Sequence, residues 1–296
     1  TLACFRCVLE KGAGGFTVGK ELDIFMDMRP IGVFDSGLGG LTAVRSLREI
    51  LPEEELIYFG DTARVPYGGR ARETLLKYAR QDVRFLRTFD LKAVLIACGT
   101  VSTTSLDVLQ AENGLPIVGV VEPTCRRALS VTVRKKVGVI ATLASIRSGA
   151  YEAALRRLDP AVEVYGKACP LFVPLVENGR VNRGDVVIET VAREYLEPLL
   201  KTGIDTLILG CTHYPLLAEV IAGVCGPGVA LVSAGEESAF ELKRLLKAQG
   251  LRAPEDRRGE ASFYVSDTPE NFEDIASLFL RENLHHAARR INIDEY

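Results

Sequence analysis

The chain has 296 residues, 47% apolar and 25% charged, which suits one large α/β domain or two ordinary ones and excludes disordered, collagen-like or stapled mini-protein classes. Thirty-six Lys and Arg against 39 Asp and Glu leave a net charge of −3, so no basic footprint for nucleic acid or anionic membrane is indicated. No apolar run reaches the roughly 20 residues of a membrane span, and seven cysteines, an odd and dispersed set, point to reduced thiols in the cytoplasm rather than a secreted disulfide framework.

Residues 1–25 show no period and have a Gly-rich centre. Arg6, Glu10 and Lys11 break what a signal peptide would need as its apolar stretch, so residues 1–28 are expected to be an extension outside the fold. From Arg29 onward, short apolar runs predict strands at Ile31–Asp35, Leu56–Gly60, Ala93–Ala97, Ile117–Val121 and Val137–Ala141. More follow at Val162–Tyr165, Thr206–Gly210, Ala230–Val232 and Ser262–Val265. The runs are apolar almost throughout, the pattern of parallel strands covered on both faces. Amphipathic stretches at Leu41–Leu51, Arg72–Phe89, Val187–Lys201 and Glu236–Gln249 predict the helices between them. Such alternation means doubly wound α/β sheets, whose ligands sit beyond the carboxyl ends of the strands.

One echo stands out at those ends. Lys92-Ala-Val-Leu-Ile-Ala-Cys98-Gly-Thr100 and Asp205-Thr-Leu-Ile-Leu-Gly-Cys211-Thr-His213 each deliver a cysteine after a buried-type strand, which suggests two similar domains facing across a cleft. A free cysteine often only packs. Here the matched contexts, with His213 two residues beyond Cys211, suit thiolate chemistry, because a neighbouring imidazolium or helix N-terminus stabilises the reactive form. Asp35-Ser-Gly-Leu-Gly-Gly40 follows the first strand. The third glycine of a dinucleotide fingerprint would fall on Thr42, so the motif reads better as a tight turn or a helix start that receives a carboxylate. Asp35 is either a polar catalytic group or a helix cap. Glu177 is either a surface acid or a loop acid aimed into the cleft, and Asp61-Thr-Ala-Arg-Val-Pro-Tyr67-Gly68 has the composition of a substrate loop. Cys4-x-x-Cys7 lacks the further ligands of a zinc site, so no metal is expected. Cys125, Cys169 and Cys225 read as packing residues, and His285-His286 as the decoration of a helix end.

Four ordered motifs carry a resemblance: Ile31-Gly-Val-Phe-Asp-Ser-Gly-Leu-Gly-Gly-Leu41, Tyr58-Phe-Gly-Asp-Thr-Ala-Arg-Val-Pro-Tyr-Gly68, Cys169-Pro-Leu-Phe-Val-Pro-Leu-Val-Glu177 and Gly210-Cys-Thr-His-Tyr-Pro-Leu216. From about Pro30 to Val265 the sequence resembles the glutamate racemases of the cofactor-independent aspartate/glutamate racemase superfamily. The resemblance implies two flavodoxin-like α/β domains with the active site in the cleft between them. The first would span 29–122 plus 233–285, the second 123–232, with 286–296 a tail. It implies racemisation of glutamate without a cofactor, to supply D-glutamate for peptidoglycan. The partner is then a small-molecule substrate rather than nucleic acid or membrane, with the oligomeric state (a homodimer among the options) left open.

By the same resemblance Cys98 deprotonates the D-isomer and Cys211 the L-isomer. Asp35 assists the first thiol, and His213 with Glu177 assists the second. Asp35, Ser36, Tyr67, Gly68, Gly99, Thr100, Thr212 and His213 contact the substrate. One departure is Gly99, where the family usually has Asn. The missing amide predicts weaker substrate binding, and a positive φ after Cys98 is the competing explanation. Aspartate or hydantoin racemisation is the near alternative, and nucleotide binding or thiol redox chemistry the remote one.

Overall fold

A computed structural model describes residues 26–282, 284 and 287–296. The first domain opens with β1 (Ile31–Asp35), α1 (Leu41–Ile50), β2 (Leu56–Gly60), α2 (Arg72–Leu86), β3 (Ala93–Ile96), α3 (Gly99–Thr104), α4 (Leu106–Glu112) and β4 (Ile117–Gly119). The second follows with α5 (Val121–Val131), β5 (Lys136–Ala141), α6 (Leu143–Ser148), α7 (Ala150–Leu158), β6 (Glu163–Ala168), α8 (Phe172–Glu177), α9 (Val186–Leu200), β7 (Thr206–Leu209), α10 (Ala218–Cys225) and β8 (Ala230–Ser233). The chain then returns with α11 (Ala234–Gln249), β9 (Ala261–Val265), α12 (Pro269–Leu280) and β10 (Ala288–Arg290).

Two parallel sheets result, ordered β10-β9-β2-β1-β3-β4 and β6-β5-β7-β8. Each contains the 2-1-3-4 strand order of a flavodoxin-like sheet, whose crevice opens between its first and third strands, here β1 and β3 in one sheet and β5 and β7 in the other. β1, β2, β3 and β7 are buried along their whole length, as their unbroken apolar runs require when helices cover both faces. α1 buries Leu41, Val44 and Leu47, the stripe that its three-residue spacing puts on one side. The two crevices face each other: Thr42 Oγ1 donates to the Thr212 carbonyl at 2.9 Å, and the amide of Ala144 donates to the Gly68 carbonyl at 3.0 Å.

Three expectations need correction. The strand predicted at Val162–Tyr165 runs Glu163–Ala168 and is half-exposed, because β6 is a sheet edge with a neighbour on one side only. Of the expected tail, 286–296, residues 287–296 are described and join the first domain. β10 pairs with β9, Ile293 is buried, and the Tyr296 ring packs edge-on to Phe85 at 5.3 Å. Residues 26–28 touch the fold as well: Lys92 Nζ donates to the Asp27 carbonyl at 2.6 Å, and the Asp27 amide to the Arg252 carbonyl at 3.1 Å. Residues 1–25, with Cys4 and Cys7, lie outside the described residues, as do His285 and His286. No helix among the described residues is long and apolar enough to cross a membrane.

Candidate active site

The chain leaves β3 at Ile96 and places Cys98 at the N-cap of α3, buried, with its thiol 3.5 Å from Ser36 Oγ. A helix N-terminus favours thiolate. Burial and the nearby Asp35 carboxylate outweigh it, however, and push the Cys98 thiol up to about 12. Asp35 ends β1, fully buried. Its Oδ2 accepts the Gly37 amide at 3.0 Å and its Oδ1 accepts Thr212 Oγ1 at 3.4 Å. Burial raises its pKa, with His213 and the Gly37 amide pulling the other way. Asp35 thus stands against both half-sites, although the resemblance assigned it to Cys98 alone.

On the opposite domain, β7 ends at Leu209 and a tight turn carries Cys211, Thr212 and His213, all buried. Cys211 Sγ lies 3.8 Å from His213 Nδ1, and His213 Nε2 lies 2.9 Å from Glu177 Oε1. Burial alone would depress the imidazolium, but its bonds to Cys211 and Glu177 win and push His213 up to about 10. The Phe279 ring meets the imidazole edge-on at 5.4 Å and fixes its plane. Glu177 is the last residue of α8 rather than a loop residue. Pro174 is tolerated there because α8 is short and the residue falls in its first turn.

Thr100 and Thr212 are buried in the same cleft, and Thr100 Oγ1 sits 3.0 Å from Thr142 Oγ1 across the domain boundary. The sequence reading missed Thr142, although it follows β5 as Cys98 follows β3 and Cys211 follows β7. It also missed Tyr151, whose hydroxyl is buried without a hydrogen-bond partner among the described residues.

Two assignments change. The Tyr67 hydroxyl is turned away into the first domain, donating to Asp61 and reaching Asp82 at 3.1 Å, where Arg64 also binds both acids. The side chain therefore anchors the loop, and it is Gly68 that reaches the second domain. Gly99 is the first helical residue of α3 and has no positive φ. A Cβ there would strike the Gly210 carbonyl. Cys125 and Cys169 are buried and Cys225 partly so, all three free, as packing residues would be.

Residues 41–240 match the Asp/Glu/hydantoin racemase family. A glutamate racemase of Geobacter metallireducens is 46% identical over 255 residues, 86% of this chain and 94% of that one. The chain belongs to this family, among its glutamate racemases. A solved glutamate racemase of Bacillus anthracis superimposes with a TM-score of 0.85 at 38% identity, covering 89% of this chain and 97% of that one. The Francisella tularensis glutamate racemase, solved in complex with D-glutamate, gives 0.83 at 39% identity over 92% of this chain and 100% of that one. In this chain Cys98 follows β3 and Cys211 follows β7, on the sides where the two domains meet.

Proposed function

We propose that the chain interconverts L- and D-glutamate by moving one proton across the Cα atom between two thiols, without a cofactor. The observation that carries this reading is the pairing of unlike environments at the two strand ends. Cys211 lies against an imidazole held protonated at neutral pH, and Cys98 is a thiol held protonated by burial and Asp35. For L-glutamate, the Cys211 thiolate takes the Cα proton and becomes a thiol. The Cα atom flattens as its electron pair delocalises into the carboxylate, and Cys98 delivers its own proton to the opposite face. The products are D-glutamate and a Cys98 thiolate, and the reverse direction exchanges the roles. His213 stabilises the thiolate it touches, and Glu177 stabilises His213, whose imidazolium directs one N–H to each.

Ser36, Gly68, Thr100 and Thr212 offer hydroxyl and backbone groups for the substrate's ammonium and carboxylates, and Gly99 offers only its backbone. The product supplies peptidoglycan synthesis in the cytoplasm, which suits a chain whose described cysteines are all free. The test follows optical activity with L-glutamate and with L-aspartate, in light and heavy water. Glutamate should racemise, and one solvent deuteron should appear at Cα of the inverted product. Inversion without deuterium, or turnover confined to aspartate, would sink the reading.

A further inference from the structure

For three glycines of the first domain, the nearest atoms to an added Cβ belong to the second domain. A Cβ at Gly39 would lie 2.5 Å from His213 Nδ1 and would overlap Thr212 Oγ1 as well. One at Gly68 would lie 3.0 Å from Thr142 Cβ. One at Gly99 would overlap the Gly210 carbonyl oxygen, with the carbonyl carbon 3.4 Å away. Other crowded glycines, such as Gly32, Gly40 and Gly60, press on atoms of their own domain. The three also occupy equivalent places, following β1, β2 and β3 in turn, and their partners follow β5 and β7. Hydrogen bonds cross the boundary beside them: Thr42 to the Thr212 carbonyl, Ala144 to the Gly68 carbonyl, and Thr100 to Thr142.

We propose that Gly39, Gly68 and Gly99 form a seam on which the second domain closes, and that this seam sets the separation of Cys98 and Cys211. The physical reason is close approach. Without a Cβ, the backbone of one domain can reach the carbonyl oxygens and site side chains of the other. A substrate as small as an amino acid needs opposed thiols held at short range, and misplacement by about 1 Å can cost 10²-fold in rate. Gly99 is the decisive member, because its neighbour is main chain and cannot rotate aside. On this account the family's Asn is replaced here by a tighter junction, and these glycines are positioning residues. The proposal rests on the two-thiol reading above.

The test substitutes each glycine by alanine in the full chain. It measures kcat, KM and the alkylation rates of Cys98 and Cys211 by iodoacetamide, read by mass spectrometry. Gly99→Ala should lower kcat by about 10- to 100-fold, with a smaller change in KM and with faster alkylation of both thiols as the cleft is propped open. Gly39→Ala should act similarly, and Gly68→Ala, whose neighbour lies at the edge of tolerance, should cost only a few-fold. Gly114→Ala, open on all sides, is the control. Each clash crosses the domain boundary, so each domain should keep its far-UV spectrum. Wild-type kcat and alkylation in Gly99→Ala, or a rise in KM alone, would overturn the seam. Failure of the two-thiol reading shows separately, as racemisation surviving Cys98→Ala in an otherwise unaltered chain, while alkylation still reports on the seam.

Discussion

The two half-sites are built on one plan and given unlike surroundings. Each cysteine follows a buried parallel strand, at positions 98 and 211, with Thr within two residues. Cys98 also has a helix N-terminus, which ought to favour its thiolate, yet burial and Asp35 hold the proton on it. Cys211 has no regular helix start, but it has an imidazolium backed by a carboxylate. The comparison teaches that strand-end placement delivers a thiol to the cleft, while side chains from elsewhere give each thiol its own surroundings.

The largest expected effect comes from removing either partner. Cys98→Ala and Cys211→Ala should each lower racemisation by about 10³-fold or more, since general acid–base groups typically contribute 10²–10⁴ and inversion needs both. A polarimetric assay with near-native turnover for either variant would break the comparison outright.

His213→Asn should come next, at about 10²-fold in kcat for the L-to-D direction and with KM little changed, because the imidazolium acts on the charge that moves. A pure KM effect would make His213 a substrate ligand instead.

Glu177→Gln sharpens the same point through pH. His213 is protonated below about 10, so L-to-D activity should persist through neutral pH and fall as pH rises through that value. Removing the carboxylate withdraws one of the interactions that raise it, so the alkaline limb of the pH–rate profile should move to lower pH. An unmoved limb would separate Glu177 from the tuning of Cys211.

The smallest effect on activity is expected from Tyr67→Phe, which leaves Arg64 as the donor shared by the buried Asp61 and Asp82. Burial and the neighbouring Asp61 already push Asp82 well above the ordinary carboxylate range. The loss of one hydrogen bond to such acids costs roughly 1.5–3 kcal/mol, read as a melting temperature lower by several degrees. KM for glutamate should stay within about threefold. A large KM increase at unchanged melting temperature would return Tyr67 to the substrate.

What the residues alone determined is whatever depends on local pattern. Apolar runs separated by amphipathic stretches dictate buried parallel strands and covering helices, because no other arrangement satisfies both periods. The carboxyl ends of those strands are where polar residues can emerge, which is why Asp35, Cys98, Cys211 and His213 could be picked out. Only tertiary structure decided the rest. The carboxylate of Glu177 lies 36 positions from His213 in the chain, and nothing in the spacing says that α8 brings it within hydrogen-bonding distance. Tyr67 looked like a substrate residue because its loop is polar and aromatic, and its rotamer is set by two acids that folding buries beside it. Gly99 looked like a missing amide because the resembled family usually has Asn there, whereas the carbonyl of Gly210, more than a hundred residues away, becomes its neighbour only when the two domains meet.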